Sequence, residues 1–239
     1  MASDSIYIRR YRPADFPQIR ALLFEGFVTS EGSTSVVAQQ RFLFKAPSLI
    51  AYLLGGAGLG LLSRPGSWTT RTAGAGAALC AAGIALFTTV RRAIPRALTA
   101  HCETALATDM RDISAHYRAP AGFFVAAQPR IDQGEAAGDE EVVGFVGFDY
   151  LPEQDAQTAE VRRVVVSAKH RRRGIGVRLM HAVIAHADTI PGLRCIELNT
   201  GEFQLASQRL YERLGWESFR VETLWAGIVD LKIVLRLGH

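Results

Sequence analysis

The sequence predicts an α/β fold that is interrupted by a hydrophobic helical insertion. Short segments rich in β-branched and aromatic residues alternate with amphipathic segments from residue 97 onward, as in domains whose helices cover a sheet. Two runs without a charged residue, 46–63 and 72–90, come before them. Each run approaches the roughly 20 apolar residues that a bilayer-spanning helix needs, the first only just.

Composition places the chain among folded proteins with a basic surface. Of its 239 residues, 49% are hydrophobic and 21% are charged, which is too apolar for a disordered chain. The net charge of +4 suits a nucleic acid, an anionic membrane or a polyanionic cofactor. The arginines cluster beside the apolar region, at 162–163 and at 171–173, without the interleaved aromatic residues of nucleic-acid binders. We therefore expect no nucleic-acid partner.

The cysteines and histidines do not form a metal-binding pattern. The chain has three cysteines, none of them in a Cys-x-x-Cys pair, and six histidines. His181 and His186 lie five residues apart, so they do not share one face of a helix. An odd number of cysteines also argues against a disulfide framework. We expect neither a metal nor a disulfide.

Periodicity and turn residues predict the order of the elements. A strand at 5–9 and a helix at 13–27 come first, followed by a loop at 29–35. After the apolar runs we predict a helix at 97–116 and an acidic loop at 130–140. The other predicted elements are strands at 122–127, 141–150, 159–166 and 193–199, helices at 174–187 and 204–214, and one or two closing strands at 218–236.

The two apolar runs are predicted to form a membrane hairpin. Both lack charge on every helical face, and Trp68 lies in the turn between them, as is typical of a membrane interface. Gly56 with Gly60, and Ala77 with Ala81, have the spacing of small residues at helix contacts in lipid. Membrane lipid is therefore an expected partner, and the hairpin could also mediate a homo-oligomer. The alternative is a buried helical hairpin in a soluble protein.

The flanking charges predict the orientation of this hairpin. The short turn between the runs carries only Arg64 and Arg71. Five basic residues lie just outside the runs: Arg41, Lys45, Arg91, Arg92 and Arg96. By the positive-inside rule both ends then lie in the cytosol. If the first strand joins the same sheet as the later strands, both ends must share one side, which excludes a single crossing.

An anion-binding turn follows the predicted strand at 159–166. Arg171, Arg172 and Arg173 precede Gly174 and Gly176, where an amphipathic helix begins. Glycines let backbone N–H groups approach a ligand, the helix N-terminus adds positive partial charge, and the guanidinium groups add full charges. The pattern predicts a pyrophosphate site, the alternative being a solvated turn. It is neither a dinucleotide fingerprint nor a P-loop, because the third glycine and the Gly-Lys-Ser/Thr are missing.

This turn resembles the phosphate loop of the GNAT acetyltransferase superfamily, Arg/Gln-x-x-Gly-x-Gly/Ala. The segment 210–216, Leu-Tyr-Glu-Arg-Leu-Gly-Trp, is similar to a second signature of the superfamily, in the expected order. The inserted apolar segment, the stretch 108–113 and the Gln204-Leu205 pair resemble the camello-like branch, which includes cysteine-S-conjugate and aspartate N-acetyltransferases. The resemblance implies a mixed central sheet with flanking helices, and an endoplasmic reticulum or other internal membrane.

The resemblance also implies an organisation and a reaction. Residues 1–40 would supply the first strand and helix, 41–96 the hairpin and 97–239 the acetyltransferase core. The acceptor amine, on a small amino-acid-like molecule or a protein, would attack acetyl-CoA directly. Pantetheine would pair with the backbone of the strand before the loop, and amides 172–177 would hold the pyrophosphate. The implied cofactor-binding residues are Val164, Val165, Val166, Arg171, Arg172, Arg173, Gly174, Ile175, Gly176 and Val177.

Tyr211 matches the usual general acid of such enzymes, which protonates the departing thiolate; a buried structural tyrosine is the alternative. The general base is left open. Asn199 stands where relatives often carry a carboxylate, and an amide can orient an amine or a water but cannot take its proton. Glu197, on the same strand face, and Glu160, on the preceding strand, are candidates, with Glu197 acting through water. A non-catalytic acyl-CoA-binding protein of the same fold is the alternative function.

Overall fold

The computed structural model describes residues 6–63, 70–132, 135–153, 155–223 and 229–237. Its strands are β1 (Tyr7–Arg10), β2 (Gly122–Asp132), β3 (Glu135–Asp149), β4 (Thr158–Val166), β5 (Cys195–Gly201), β6 (Glu217–Thr223) and β7 (Val229–Arg236). Its α-helices are α1 (Phe16–Phe24), α2 (Thr34–Arg41), α3 (Ala46–Leu62), α4 (Thr70–Ala107), α5 (Ile113–His116), α6 (Ile175–Ala187) and α7 (Leu205–Arg213). A π-helical turn, Glu25–Thr29, continues α1. Ser5 and the predicted interfacial Trp68 lie outside the described residues.

The described strands form one mixed sheet in the order β1-β2-β3-β4-β5-β7-β6. All neighbours are antiparallel except β4 and β5. That parallel pair is short, because its register joins only Thr158–Glu160 to Cys195–Glu197. Beyond Glu160 the two strands diverge, and a gap opens in the middle of the sheet. The mixed sheet with flanking helices confirms the predicted fold class.

Helices cover both faces of the sheet over two separate cores. On one face, α6 and α7 pack on strand residues such as Phe148 and Ile196, and Leu179 of α6 is fully buried there. On the other face, α1 and the end of α4 cover Phe145 and Val125. Alternation of apolar side chains along the strands divides them between the two cores. The gap between β4 and β5 therefore lies between two layers of helices that pack on the sheet.

The apolar runs form a helical hairpin of α3 and α4, as the fold-class prediction requires. A Cβ on Gly58 would lie 2.6 Å from the carbonyl oxygen of Gly76, and a Cβ on Gly83 would lie 2.7 Å from that of Ala51. From the first contact to the second, the residue number falls in α3 and rises in α4, so the two helices are antiparallel. Glycine at these positions lets the two backbones touch.

The prediction that Gly56, Gly60, Ala77 and Ala81 form this helix contact was wrong. A Cβ on Gly56 or Gly60 would meet nothing within 4 Å, and Ala77 and Ala81 are exposed. The contact stripe of α3 instead passes through residues 51, 55, 58 and 62, which have the three- and four-residue spacing of one helix face. Sequence spacing identified helices with small residues but not which of their faces meet.

Helix α4 is one continuous helix of 38 residues, about 57 Å long at 1.5 Å per residue. The predicted bounds of a helix at 97–116 were wrong: the helix is part of α4, which runs through Arg91, Arg92 and Pro95 and ends at Ala107. Only the four-residue α5 lies between there and β2. The segment 71–107 is long and apolar enough to cross a membrane, and α3 passes the same test together with the bent preceding segment.

Two predicted loops are partly regular structure. In the first, at 29–35, α2 already begins at Thr34, with the hydroxyl oxygen of Ser33 accepting a hydrogen bond from Val36 N. In the second, at 130–140, β2 and β3 continue as a paired ribbon in which Ile131 faces Ala136. Strand pairing satisfies backbone groups even where the local sequence is polar and glycine-containing, so composition alone favoured a loop there.

Candidate active site

The gap between β4 and β5 opens into a cavity of about 550 Å³. Glu160, Arg162, Arg163 and Val164 line it from β4. Other polar groups come from β5 and from the segment that follows it: Asn199, Thr200, Gln204 and Ser207. Tyr211 lines it from α7. A mainly apolar cavity with a few convergent polar groups is the usual form of a small-molecule site.

Strand β4 bulges where it borders the cavity. Four residues of β4, Arg162 to Val165, lie opposite three residues of β3, Gly147 to Phe145. Arg163 has a φ of 59°, which is uncommon outside glycine. An extra residue of this kind re-aims side chains and ends regular pairing. The bulge thus turns Arg163 and Val164 toward the gap.

The turn after β4 has the backbone form that a phosphate loop requires. Arg172 and Gly174 have φ angles of 65° and 76°, and α6 begins at Ile175. A Cβ on Gly174 would meet nothing within 4 Å, so backbone conformation rather than crowding favours glycine there. The first intrahelical bond runs from Arg178 N to Gly174 O (3.1 Å). The amides of Ile175, Gly176 and Val177 therefore lie at the open end of the helix.

Gly176 has a packing role. A Cβ added to it would lie 3.0 Å from Cδ2 of Leu210 in α7. The small residue lets the first turn of α6 approach α7, which carries Tyr211. The predicted phosphate loop and the tyrosine helix, which the sequence matched as separate signatures, are thus in direct contact.

The three arginines of the loop differ in their surroundings. Arg171 donates from Nη1 to the carbonyl oxygen of Gly32 (3.0 Å) and from Nε to that of Val166 (3.4 Å). Arg172 and Arg173 are exposed. The Glu25 carboxylate accepts from Ala168 N (2.7 Å) just before the loop. Arg171 and Glu25 together fix the loop against the turn that follows α1.

Tyr211 is almost fully buried, and its ring lies 5.8 Å from that of Trp216. Burial raises the pKa of its hydroxyl above the ordinary value of 10. Desolvation disfavours the phenolate, so the group keeps its proton throughout the neutral range. A protonated hydroxyl on a residue that lines the cavity can donate a proton to a leaving group there.

The two candidate general bases, Glu160 and Glu197, differ in their position relative to the cavity. Glu160 lines the cavity, and its carboxylate accepts from Arg162 Nε (2.7 Å) and Asn199 Nδ2 (3.4 Å). Glu197 forms an ion pair with Lys232. It is absent from the described residues that line the cavity. The structure thus brings Tyr211, Asn199 and Glu160 around one space and places Glu197 beside it.

A buried ionic network supports the bulge of β4. Asp109, 2% exposed, accepts from Arg163, from the Tyr117 hydroxyl (2.7 Å) and from the Thr108 hydroxyl (3.0 Å). Burial by itself would raise the pKa of Asp109, but these hydrogen bonds outweigh it and lower that pKa to about 2. The stretch 108–113 suggested the family branch, yet nothing in its local pattern indicated that Asp109 binds Arg163.

The second wall of the cavity was also not foreseen. Ala93, Ile94, Ala97, Leu98 and His101, all on α4, line it. The only sequence signal was the spacing of the apolar residues Ile94 and Leu98 on one helix face, which is equally typical of a core helix. The helix that contains the apolar run therefore also forms part of the candidate active site.

Comparison with known proteins agrees with this geometry. Residues 88–216 match the Acetyltransferase (GNAT) family. Human N-acetyltransferase 8B is 30% identical over 98% of this chain and 94% of its own length. N-acetylaspartate synthetase of Danio rerio is 33% identical over 51% of this chain and 39% of its own. The probable N-acetyltransferase camello of Xenopus tropicalis is 35% identical over 36% of this chain and 38% of its own.

A solved structure supports the fold independently of close sequence similarity. An acetyltransferase of the GNAT family from Staphylococcus aureus Mu50 superposes with a TM-score of 0.53 and 12% identity, covering 98% of this chain and 100% of that one. The family match and the relatives also decide against a non-catalytic acyl-CoA-binding protein. The chain belongs to the GNAT acetyltransferase family, in its camello-like branch, and is an N-acetyltransferase.

Proposed function

We propose that this enzyme binds acetyl-CoA across the gap between β4 and β5 and transfers its acetyl group directly to an amine in the cavity. The observation that carries the proposal is the early divergence of the two strands, which leaves the β4 edge from residue 161 to 166 facing the gap. Pantetheine would pair with the backbone of Val164 and Val166, and buried Val165 would anchor the strand. The amides that open α6 and the side chains of Arg172 and Arg173 would hold the pyrophosphate.

In the proposed reaction the amine lone pair attacks the thioester carbonyl carbon. The new C–N bond forms as the C–S bond breaks, and Tyr211 protonates the departing thiolate. The buried hydroxyl suits this role because it remains protonated at neutral pH. Arg171 acts mainly as a positioning residue, since its guanidinium already binds backbone oxygens of Gly32 and Val166.

Glu160 is the proposed acceptor of the amine proton. It lines the cavity together with Tyr211, whereas Glu197 is not among the described residues that line it. Asn199 would orient the Glu160 carboxylate and the incoming amine. Glu197→Gln is the matched control, because it makes the same change on the neighbouring strand. We expect Glu160→Gln to lower kcat/KM by about 10²-fold and Glu197→Gln by less than threefold. The reverse order would reassign the base to Glu197.

The proposed acceptor is a small molecule that carries a carboxylate beside its amine. Arg162, whose side chain is 38% exposed, lines the same space as Glu160, so the cavity offers charges of both signs. Guanidinium groups bind carboxylates through paired hydrogen bonds. The name of the related N-acetylaspartate synthetase also indicates an acidic amino-acid product. To test whether the carboxylate is recognised, the rate with an α-amino acid is compared with the rate for the amine formed by its decarboxylation. The amino acid should react faster, and equal rates would favour a protein amine as the acceptor.

We also propose that α3 and α4 anchor the enzyme in an internal membrane such as the endoplasmic reticulum, with both hairpin ends in the cytosol. Apolar side chains are exposed along α3 and α4: Leu49, Ile50, Leu53, Leu59 and Ile84. Exposed Arg41, Arg92 and Arg96 lie where these helices leave the domain. A glycosylation acceptor inserted at 64–69 should be modified and one at either terminus should not. Self-association through the hairpin stays a prediction.

The central experiment measures thiol release from acetyl-CoA by the purified full chain. Aspartate, cysteine conjugates, polyamines and lysine peptides form the acceptor panel. Release that depends on one acceptor class supports the proposal and identifies that class. A folded protein that neither binds CoA in calorimetry nor releases thiol would overturn it.

A further inference from the structure

The guanidinium of Arg162 lies between two carboxylates. Its Nε donates to Oε2 of Glu160 at 2.7 Å, and its Nη1 lies 3.4 Å from Oδ2 of Asp149. Asp149 is the last residue of β3 and is the direct register partner of Glu160 across the β3–β4 pair. Like charges at directly opposed positions of a sheet repel each other, and the guanidinium between them compensates this repulsion. The ionic contacts thus connect the end of β3 with the candidate base.

His116 is a second partner of Asp149. Its Nε2 lies 3.2 Å from Oδ2 of that carboxylate. His116 ends α5, and the next residue, Tyr117, lies over Gly147 of β3, where an added Cβ would be 2.8 Å from the Tyr117 ring. The absence of a side chain at 147 therefore leaves room for Tyr117, which brings His116 within reach of Asp149.

A contribution to stability alone does not explain Asp149. Its side chain is 5% exposed, and its Oδ1 is buried without a hydrogen-bond partner among the residues that the structure describes. Asp109 is similarly buried, but both of its oxygens accept from Arg163. Burying a carboxylate is costly, and contacts at one oxygen compensate less of that cost than contacts at two. Asp149 instead contacts Arg162, which lines the cavity, although Asp149 is not among the described lining residues.

We propose that Asp149 is a positioning residue, which fixes the guanidinium of Arg162 and through it the carboxylate of Glu160. His116 in turn fixes Asp149. The inference rests on the proposed function, which assigns the amine proton to Glu160 and the acceptor carboxylate to Arg162. A guanidinium that binds only Glu160 can move together with it, because both side chains are flexible. The contact with the end of β3 adds a fixed point, so the two groups keep one geometry toward the acceptor.

The chemistry of the guanidinium permits this arrangement. Arginine has five N–H groups, one on Nε and two on each terminal nitrogen. Contacts with Glu160 at Nε and Nη2, and with Asp149 at Nη1, use one N–H of each nitrogen. One N–H on each terminal nitrogen then remains for the carboxylate of an acceptor.

Asp149→Asn tests the proposal, because it keeps the shape of the side chain and removes its charge. We expect kcat/KM for an α-amino acid to fall about tenfold, with KM for acetyl-CoA within about twofold of wild type. Asp15→Asn is the matched control: Asp15 is also 5% exposed, pairs with Arg9 at 2.7 Å and is not among the described lining residues. This control should melt earlier and keep the wild-type kcat/KM at a temperature at which it is folded.

A double-mutant cycle tests whether Asp149 acts through Arg162. In an Arg162→Gln background, adding Asp149→Asn should change kcat/KM by less than about twofold, because the residue that it positions is already missing.

Two variants of His116 test the same link, including the case that Asp149→Asn does not fold. His116→Gln retains an N–H donor and should stay within about threefold of wild type. His116→Phe retains the ring contact with Tyr117, whose centre lies 4.8 Å away, without the donor, and should lose activity as Asp149→Asn does.

Four outcomes would overturn the inference. Losses that multiply in the double variant would show that Asp149 acts independently of Arg162. An equal loss in Asp15→Asn would make the effect one of global stability, and a matching rise in KM for acetyl-CoA would assign it to cofactor binding. Wild-type activity in both Asp149→Asn and His116→Phe would remove the positioning role. In that last case the wild-type enzyme still acetylates its acceptor, so the inference fails while the proposed function stands.

Discussion

Arg163 holds the carboxylate of Asp109 in a two-point hydrogen-bonded pair, from Nε to Oδ2 at 3.0 Å and from Nη2 to Oδ1 at 2.7 Å. Asp109 lies two residues beyond the end of α4, and Arg163 forms the bulge of β4. The pair therefore joins the helix that contains the apolar run to the strand that is proposed to bind pantetheine. Because Asp109 is buried, this link is shielded from solvent and from salt.

Removing the charge of Asp109 should destabilise the fold. Asp109→Asn leaves Arg163 as a nearly buried cation without its counter-charge, which costs about 3–5 kcal/mol. Thermal unfolding of the purified protein in detergent measures the effect. Glu103→Gln removes an exposed acidic charge on the neighbouring turn and should shift the midpoint very little. Equal shifts in the two variants would contradict a structural role for the pair.

The same carboxylate makes stability depend on acidic pH. The pKa of Asp109 is lowered from 3.8 to about 2 in the folded protein. Its contribution is therefore complete above about pH 4 and is lost as pH falls toward 2, because protonation removes the ion pair. The difference in melting midpoint between wild type and Asp109→Asn should narrow over that interval. A difference that stays constant from pH 5 to pH 2.5 would refute the assignment.

Tyr211→Phe should lower kcat by about 10²-fold or more, because the thiolate then leaves without a general acid. CoA affinity should be unchanged, since Tyr211 lines the cavity and is not part of the predicted phosphate loop. Tyr150→Phe is the control: it removes another buried-ring hydroxyl, one bonded to Ala156 O at 3.0 Å, outside the cavity. Equal rates in the two variants would indicate that Tyr211 is a structural residue and not the general acid.

Gly174→Ala should weaken CoA binding. Gly174 has a φ of 76°, and a left-handed conformation costs an L-residue about 1–2 kcal/mol, which would shift the loop amides. Gly192→Ala imposes the same strain at a φ of 83° in a remote turn, also with nothing within 4 Å of the added Cβ. Calorimetric titration with CoA separates the two. Only the Gly174 variant should show a raised Kd, and both should melt slightly earlier.

Gly58→Ala should disrupt the hairpin, whereas Gly60→Ala should not. A Cβ at Gly58 would lie 2.6 Å from Gly76 O and 2.6 Å from Cys80 Sγ, and the carbonyl cannot move without shifting α4. At Gly60 the Cβ meets nothing within 4 Å, and alanine there favours the helix by about 0.5–1 kcal/mol. Disulfide trapping between cysteines placed at 55 and 83 reports the contact. Efficient trapping in both variants would show that the contact between the helices does not depend on a glycine at position 58.

The sequence alone was sufficient for the fold class and for the two family signatures. The strand–turn–helix at 159–187 is a local pattern, because its glycines, arginines and helical periodicity act over neighbouring residues. The hairpin was predictable for the same reason, since charge-free runs need no information about distant residues. Three contacts were not predictable, because their members are tens of residues apart in sequence: Glu160 with Asn199, Glu197 with Lys232 and Asp109 with Arg163.

Tertiary structure decided what local patterns leave open. Helix α4 continued through Arg91 and Pro95 because packing against α2 and α3 outweighs the local preference for a break. Glu160, and not Glu197, came to line the cavity because β4 and β5 part just beyond it. Residue types and their spacing thus determined which chemistry this chain carries. Only the fold of the whole sheet against α4 determined which side chains share the cavity, since burial and pairing depend on contacts distant in sequence.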